Sequence, residues 1–162
     1  MLKIHKLSDV KTNKIGKGTT IWQYCVVMSN VKIGKDCNIC SHCFIENNIE
    51  IGDRVTIKNG SKLFSSMKIE DDVFIGPNVT FTNDLYPRSI RDKNKEILKF
   101  PKTIICKGAS IGGGSTILPG IKIGKKAIIG AGSIITKDVI SGSITYGEQA
   151  KHRRNLKKIK ND

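Results

Sequence analysis

The sequence contains few aromatic residues: they make up 6% of its 162 positions, and only one of them is a tryptophan. A core built mainly of aromatic side chains is therefore excluded, and aliphatic residues must supply most of the buried surface. The length is typical of a single domain, so we expect residues 1–162 to fold as one unit.

Long apolar segments are also absent. No run approaches the roughly 18 apolar residues that a helix needs to cross a bilayer. The first residues, from Met1 to Lys6, are too charged and too short in apolar length for a secretory signal. The five cysteines are an odd number, as expected of free thiols in a reducing compartment. We therefore expect a cytoplasmic protein without a membrane partner.

Acidic residues are outnumbered by basic ones, 14 against 28, and the net charge is +14. Lysines are spread along the chain, and basic residues cluster from Lys151 to Lys160. Nucleic-acid binding would require stacking aromatics among them or a recognisable module, and neither is present. The charge is explained equally well by solubility or by an anionic small-molecule ligand, so we expect no nucleic-acid partner.

What the sequence does contain is a repeat of six residues. An apolar residue recurs at every sixth position, and no member of the series is polar. The series contains Ile15, Ile21, Val27, Ile33, Ile39, Ile45, Ile51, Ile57, Leu63, Ile69, Ile75 and Phe81, then Ile105, Ile111, Ile117, Ile123, Ile129 and Ile135. A second series, two positions earlier, is mostly small or β-branched. It contains Thr19, Cys25, Val31, Cys37, Cys43, Ile49, Val55, Ser61, Met67, Val73 and Val79, then Ala109, Ser115, Ile121, Ala127, Ser133 and Val139.

Residues two apart point to the same face of a strand, so each hexad predicts a short strand with two inward side chains, followed by a turn. A helix would need a period of about 3.6 residues, which this pattern lacks. Stacked hexads share one continuous core, in which each buried isoleucine contributes roughly 1.5–3 kcal/mol. Glycine often follows the aliphatic residue, as at Gly34 and Gly76, and there we expect a positive φ.

This pattern resembles the hexapeptide-repeat acyltransferases. The resemblance implies an all-β fold, a left-handed parallel β-helix with three hexads, or about eighteen residues, in each coil. We expect repeats over about residues 10–81 and 103–140, an excursion loop over 82–102, and a short basic tail over 147–162. A β-helix that serves only as a scaffold is the alternative.

Side chains eighteen positions apart stack in such a coil. Two polar columns mark the corner from which the loop departs: Asn47, Ser65 and Asn83, and next to them Asn48, Ser66 and Asp84. Another corner carries Ser41, Asn59 and Pro77, beside His42, Gly60 and Asn78. Two corners of one prism cannot face each other, but corners of neighbouring subunits can. We therefore expect a homotrimer with its site in an intersubunit cleft, where this superfamily places its substrates.

Four segments carry a closer resemblance. They are residues 21–24, 40–47, 56–60 and 74–89, the last containing Thr82-Asn83-Asp84-Leu85-Tyr86-Pro87-Arg88-Ser89. Over roughly residues 10–140 the chain is similar to the nucleotide-sugar 3-N-acetyltransferases. That family uses acetyl-CoA to acetylate the 3-amino group of a nucleotide-linked aminosugar for surface polysaccharides such as O-antigen or S-layer glycan.

Two branches of that family differ at positions that this sequence can test. The branch that acts on a UDP-linked 3-amino uronic acid is expected to carry a histidine near Val26 and a Gln-Asn pair where Ser41 and His42 stand. This sequence departs from it at both places. The resemblance therefore favours the branch whose substrates are dTDP-3-amino-3,6-dideoxyhexoses.

The resemblance also implies roles for single residues. Asn83 and Asp84 match the family's Thr-Asn-Asp motif and would lie at the sugar amine, which must be neutral for acyl transfer. His42 is the only histidine in the repeat, and an imidazole that titrates near roughly pH 6.5 suits a general base, oriented by Glu46 or by a carboxylate across the interface. The expected substrate-binding residues are Glu46, Asn47, Asn59, Tyr86 and Arg88.

Each of these roles has a plainer alternative. His42 can be a surface histidine that hydrogen-bonds at a turn, in which case the amine loses its proton to water or to the CoA sulfur, and the protein only positions the reactants. Asn83 can be a turn asparagine, and Arg88 a solvated loop residue.

Acetyl-CoA, the expected acyl donor, would lie along the last coils. Gly113 and Ala131 would leave backbone amides open to its pantetheine arm, and Lys137 and Lys151 would meet its phosphates. The fold requires glycine at such turns in any case, so this assignment has a structural alternative.

Metal binding is not expected. Cys37-x-x-Cys40-x-x-Cys43 has metal-like spacing, but Cys37 and Cys43 belong to the inward series on successive faces, whereas Cys40 takes a turn position. A zinc carbonic anhydrase of the same fold needs three converging histidines, and only His42 lies in the repeat. The rival functions are a hexapeptide acetyltransferase for a UDP-linked 3-amino sugar or another small acceptor, and a non-catalytic β-helix that binds a partner.

Overall fold

The computed structural model describes residues 1–89 and 100–147. Over these residues the chain winds through three parallel sheets, and each strand is two or three residues long. The described residues contain no helix with the length and apolarity to cross a membrane.

The three sheets form the faces of a prism. Face A contains β1 (Lys3–Ile4), β3 (Thr20–Ile21), β6 (Asn38–Ile39), β9 (Thr56–Ile57), β12 (Phe74–Ile75), β15 (Ser110–Ile111), β18 (Ile128–Ile129) and β20 (Ile144–Thr145). Face B contains β2 (Asp9–Val10), β4 (Val26–Val27), β7 (Phe44–Ile45), β10 (Lys62–Leu63), β13 (Thr80–Phe81), β16 (Thr116–Ile117) and β19 (Ile134–Ile135). Face C contains β5 (Lys32–Ile33), β8 (Ile49–Ile51), β11 (Met67–Ile69), β14 (Thr103–Ile105) and β17 (Lys122–Ile123).

The strand register confirms the eighteen-residue coil. Asn38 pairs with Thr56 on face A, and Phe44 pairs with Lys62 on face B. Across the loop, the sequence separation between paired residues is twice as large, because Met67 pairs with Thr103. The insertion is therefore one coil long, and the repeat resumes in phase behind it. With the hexad pattern, this winding confirms the left-handed parallel β-helix.

The two periodic series form the core, as predicted. Every member of the small series from Thr19 to Val139 is buried, and so is every member of the apolar series except Ile15, which is partly buried. Phe81 is the only aromatic side chain in the core of the described residues. Strands also occur outside the expected repeat limits, at Lys3–Ile4 and at Ile144–Thr145.

Polar members of the inward series bond to the neighbouring coil. The Cys25 thiol donates to the carbonyl of Cys40 (3.0 Å), the Cys43 thiol to Lys58 (3.2 Å) and the Ser61 hydroxyl to Gly76 (2.8 Å). Each donor lies fifteen residues before its acceptor. Inward hydroxyls and thiols are thus compatible with the core because a backbone carbonyl satisfies each of them.

The expected positive φ at the glycine after the aliphatic residue was wrong. Gly34 and Gly76 have ordinary φ values, and the left-handed residues lie two positions later, at Asp36 and Asn78. The glycine is needed for close stacking instead: a Cβ on Gly76 would lie 2.6 Å from the backbone nitrogen of Gly113 in the next coil. Coil contact at the corner, rather than backbone conformation, excludes a side chain there.

The three cysteines with metal-like spacing do not converge. All are free thiols, and the sulfurs of Cys37 and Cys43 donate to the carbonyls of Gly52 (3.1 Å) and Lys58 (3.2 Å), which belong to different corners. Within the described ranges, no group of three His, Cys, Asp or Glu side chains could hold a metal ion.

Candidate functional site

Three corners join the faces of the prism, and the predicted site residues are divided between two of them. Corner AB, between faces A and B, comprises residues 22–25, 40–43, 58–61, 76–79, 112–115 and 130–133. Corner BC, between faces B and C, comprises residues 28–31, 46–48, 64–66, 82–84 and 118–121, and the excursion leaves the helix from it.

Corner BC holds a hydrogen-bonded network of three side chains from successive coils. Oε2 of Glu46 accepts from the backbone N–H of Ser65 at 2.6 Å and lies 3.5 Å from Nδ2 of Asn83. The same Nδ2 donates to Oγ of Ser65 at 3.0 Å. All three residues are half-buried. The predicted stacking of Ser65 and Asn83 is therefore present, with Glu46 joining it from below.

The first residues of the excursion turn away from this network. Oδ1 of Asp84 accepts from the backbone N–H of Tyr86 at 2.9 Å, an Asx turn that fixes the start of the loop. Tyr86 is 68% exposed, and Arg88 donates from Nη1 to the carbonyl of Pro87 at 2.9 Å. Both side chains are thus held on the surface beside corner BC.

A groove of about 940 Å³ runs along corner BC onto face C. Its lining contains the network residues Glu46 and Ser65, and it also contains polar and basic side chains together with one aromatic ring. These side chains include Asn47, Asn48, Lys14, Lys32, Lys102 and Phe100, and the acidic Glu50 lines the groove as well. Lys32 is paired with Glu50 at 2.9 Å. The volume, and a lining with three lysines against two glutamates, suit an anionic ligand of nucleotide size.

Corner AB carries His42 and Asn59. Nδ2 of Asn59 donates to Oγ of Ser41 at 2.7 Å, one coil apart. His42 is exposed in the left-handed region, with φ of 61°, and its ring centroid lies 5.0 Å from that of Tyr24. The backbone turn therefore projects the imidazole outward from the prism edge.

The thiols beneath His42 are not candidate nucleophiles. Burial raises the pKa of Cys40, and a hydrogen bond with Cys25 followed by burial raises the pKa of Cys43. The bond with Cys43 lowers the pKa of Cys25 to about 7, but that side chain is 0% exposed and cannot reach a thioester. Acyl transfer through a cysteine at this corner is therefore excluded by protonation or by access.

Farther along corner AB the edge becomes bare backbone. A Cβ added to Gly114 or to Gly132 would meet no atom within 4 Å, so the outside of these turns is open. Gly113 and Ala131 lie there on adjacent coils, and the carbonyl of Gly113 accepts from the N–H of Gly132 at 2.9 Å. This open edge is the feature that a thin, extended ligand arm would need.

Within one chain, the predicted site residues thus lie at two corners and on the loop. Glu46, Asn47, Asn83 and Asp84 lie at corner BC, and Tyr86 and Arg88 follow on the loop. His42, Asn59, Gly113 and Ala131 lie on corner AB. Lys137 lies after β19, toward face C and away from the open glycine edge. Lys151 is outside the described residues.

Two features were not foreseen from the sequence. Glu46 belongs to a different corner from His42 in the same chain, with its Oε2 engaged by Ser65, so within one chain it does not orient His42. The groove lysines, Lys14, Lys32 and Lys102, were not singled out either. The repeat predicts that these lysines point outward, since they alternate with inward positions. It does not distinguish lysines that line a groove from other surface lysines.

Comparison with known proteins identifies the repeat. The family model described as "Bacterial transferase hexapeptide (six repeats)" matches residues 14–47 and 102–137. The fold and these matches together define a hexapeptide-repeat β-helix. The chain carries the repeat of the bacterial hexapeptide transferases on both sides of its excursion loop.

Curated relatives are acetyltransferases that match part of the chain. A galactoside O-acetyltransferase of Lactococcus lactis is 33% identical over 90 residues, 54% of this chain and 42% of that protein. A dTDP-3-amino-3,6-dideoxy-alpha-D-galactopyranose 3-N-acetyltransferase of Aneurinibacillus thermoaerophilus is 46% identical over 52 residues, 32% of this chain and 27% of that protein. The chain therefore spans less than half the length of either relative.

Solved structures share the fold over most of the chain. An N-acyltransferase variant from Bacillus cereus, crystallised with dTDP and coenzyme A, superposes with a TM-score of 0.73 at 21% identity, covering 94% of this chain and 85% of that one. A GDP-perosamine N-acetyltransferase variant from Caulobacter crescentus, crystallised with CoA and GDP-perosamine, gives 0.67 at 20% identity, covering 85% and 57%. At these identities the likeness concerns the fold alone.

Proposed function

We propose that this protein is an acetyl-CoA-dependent N-acetyltransferase that acetylates the 3-amino group of a dTDP-3-amino-3,6-dideoxyhexose for surface polysaccharide synthesis. The observation that carries the proposal is the Glu46–Ser65–Asn83 network, built where the excursion leaves the helix. Glu46 and Ser65, the two residues that hold the motif asparagine, line a groove of nucleotide size. The 46% identical segment of a dTDP-aminosugar 3-N-acetyltransferase supports the choice of sugar.

The reaction requires a neutral amine and a thioester held in contact. The amine nitrogen attacks the thioester carbonyl carbon, so that a C–N bond forms and the C–S bond breaks. The nitrogen loses one proton, and the departing CoA sulfur gains one. Asn83 and Asp84 hold the amine in this scheme, and His42 accepts its proton as general base. Positioning of the two reactants supplies the remaining acceleration.

The open glycine edge of corner AB fits the acyl donor. Gly114 and Gly132 leave the space beside the backbone free, and Gly113 and Ala131 lie on the same edge. His42 precedes Gly114 by three coils, roughly 15 Å at the spacing of paired strands. A pantetheine arm lying along this edge would bring its thioester toward His42. Lys137 does not lie at corner AB, so it could contact a CoA bound there only if it came from another chain.

The division of residues between corners requires a second chain. His42 and Asn83 project from different corners of one prism, and a homotrimer in which corner AB of one chain meets corner BC of the next would bring them together. The strand residues that point outward on face A are uncharged from Thr20 onward and include Phe74 and Ile128, which are 40% and 47% exposed. Face C instead presents Lys32, Glu50, Lys68 and Lys122.

The proposal is tested by incubating the protein with acetyl-CoA and each C4 epimer of dTDP-3-amino-3,6-dideoxyhexose while free thiol is measured. We expect thiol release with at least one epimer and one acetyl group added per thiol. CoA and dTDP should each raise the melting temperature, because a ligand that binds only the folded state stabilises it. UDP in place of dTDP is the control for the choice between the dTDP and UDP branches of the family, and it should not raise the melting temperature. If no thiol is released with either epimer, the proposal is contradicted.

Acetylation of a sugar hydroxyl is the second candidate. It is favoured by the 33% identity to a galactoside O-acetyltransferase over 90 residues. The two products differ chemically, since hydroxylamine cleaves an acetyl ester but leaves an acetamide intact. Treatment of the product with hydroxylamine therefore separates the two candidates. Loss of the acetyl group would indicate O-acetylation.

A further inference from the structure

The Asn83 side chain is held by a carboxylate that reaches across two coils. Glu46 lies two coils before Asn83, yet its Oε2 lies 3.5 Å from Nδ2 of Asn83 and accepts from the Ser65 N–H at 2.6 Å. The Asn83 amide nitrogen is also 3.0 Å from Oγ of Ser65. Both amide hydrogens of Asn83 are therefore directed toward Glu46 and Ser65.

The acceptor oxygen of Glu46 fixes the orientation of the Asn83 amide. If the amide were rotated by half a turn, its carbonyl oxygen would face a carboxylate oxygen at the same distance, and two acceptors would repel each other. With the nitrogen inward, Oδ1 is the atom left for a ligand. A carbonyl oxygen only accepts hydrogen bonds, so Asn83 recognises a donor such as an amine N–H and not a phosphate oxygen or a carboxylate.

We infer that Glu46 is a positioning residue: it holds Asn83 with Oδ1 toward the acceptor amine and does not itself contact the substrate. The inference rests on the proposed function for the identity of the ligand. An N–H of the neutral amine donates to Oδ1, and this turns the nitrogen lone pair away from Asn83, toward the thioester. Glu46 thereby selects the attacking geometry through the amide it orients.

A double-mutant cycle separates this role from direct substrate binding. Glu46→Ala should raise KM for the aminosugar by about tenfold and leave the Kd for CoA unchanged. Glu46→Gln keeps an oxygen for the Ser65 N–H and should stay within about threefold of wild type. In an Asn83→Ala background, Glu46→Ala should add no further loss. Additive losses would overturn the inference, because they would mean that Glu46 contacts the substrate itself.

The matched control is Glu70→Ala. Glu70 also accepts a backbone N–H of the next coil, that of Lys107 at 2.9 Å, but it lies at another corner and does not line the groove. This variant should keep the wild-type KM for the aminosugar. A loss equal to that of Glu46→Ala would overturn the inference, since it would show a general effect of removing a carboxylate that bridges two coils.

A measurement without turnover keeps the inference separate from the proposed function. In ¹⁵N-labelled protein, the side-chain amide signal that Asn83→Ala removes belongs to Asn83. Glu46→Ala should shift this signal and speed its hydrogen exchange, whereas Glu70→Ala should not. An unchanged signal in Glu46→Ala would overturn the inference. If the wild-type protein transfers no acetyl group, the proposed function fails, but this signal still decides whether Glu46 orients Asn83.

Discussion

Single thiols in the core tie the stability of the fold to pH. Burial raises the pKa of the Cys37 thiol, because an apolar surrounding disfavours the thiolate. In the unfolded chain this thiol ionises near its ordinary pKa of roughly 8.5. Above that pH the folded state binds more protons than the unfolded state, so the free energy of unfolding decreases as pH rises.

This dependence can be isolated with Cys37→Val. Valine occupies the stacked position in the next coil, at Val55, so the core should accept it. We expect wild type to lose stability relative to Cys37→Val when urea unfolding is measured at about pH 10 instead of about pH 7.5. An equal change in both proteins would show that Cys37 does not titrate differently on folding.

Residues of the core were predictable, whereas residues of the site were predictable only in part. Two inward side chains per hexad follow from the period, and these positions are buried as expected. The stacking of Ser65 under Asn83 also follows from the eighteen-residue coil. The contact with Glu46 does not, because a long side chain can reach neighbouring coils and its rotamer is not encoded in the period.

At the scale of the coil, inward hydroxyls stabilise the stacking of turns. Ser61 is 0% exposed, donates to the carbonyl of Gly76 at 2.8 Å and accepts from the N–H of Val79 at 3.3 Å. Ser61→Ala would leave both backbone groups without this partner in the core, which should cost roughly 1–3 kcal/mol of unfolding free energy.

The control for this prediction is Ser61→Cys. Cys43 occupies the equivalent position one coil earlier and donates to the carbonyl of Lys58. The cysteine variant should therefore lose less stability than the alanine variant in denaturant unfolding. If both lost the same amount, hydrogen bonding at this position would not be what stabilises the turn.

The excursion should be separable from the scaffold. Met67 pairs with Thr103, so residues 85–102 are inserted at a junction that elsewhere joins corner BC directly to face C. Deletion of residues 85–102 joins Asp84 to Thr103 in the register of Ser66 and Met67. We expect a folded β-helix that still binds CoA but no longer acetylates the aminosugar, because Tyr86 and Arg88 leave with the loop.

Circular dichroism and calorimetric titration with CoA would check this deletion. A strand spectrum and a CoA affinity close to those of wild type are the expected results. Loss of the strand signal would show that the insertion is part of the scaffold, and retained acetylation would remove Tyr86 and Arg88 from the site.

At the scale of the whole molecule, the proposed site is divided into two halves that lie at different corners of the chain. Corner AB carries His42 and the open glycine edge, and corner BC carries the Asn83 network and the groove. The sequence period predicts both corners, but it does not predict how neighbouring chains are arranged. In the proposed trimer, that arrangement would depend on surface complementarity, for which the uncharged outward residues of face A are the candidate contact.

Assembly has a direct test in Ile128→Glu. Ile128 is 47% exposed on face A, and a carboxylate buried in a subunit contact would lack a partner. We expect this variant to sediment as a smaller species and to lose acetyl transfer. Lys122→Glu on face C is the control and should keep the assembly of wild type. Unchanged sedimentation of Ile128→Glu would exclude face A from the contact.

If His42 of one chain and Asn83 of the next act on the same substrate, as we propose, subunits that lack one of these side chains should complement each other. The most direct test mixes subunits of His42→Ala with subunits of Asn83→Ala. On its own, His42→Ala should lower the rate of acetyl transfer by roughly 10²–10⁴-fold, because the general base is lost. Asn83→Ala should lower it by at least about tenfold, because the amide that holds the amine is lost. In randomly mixed trimers, about a quarter of the clefts contain both native residues. We therefore predict recovery to about a quarter of wild-type activity when the two variants are refolded together. Activity no higher than the average of the two variants would contradict it.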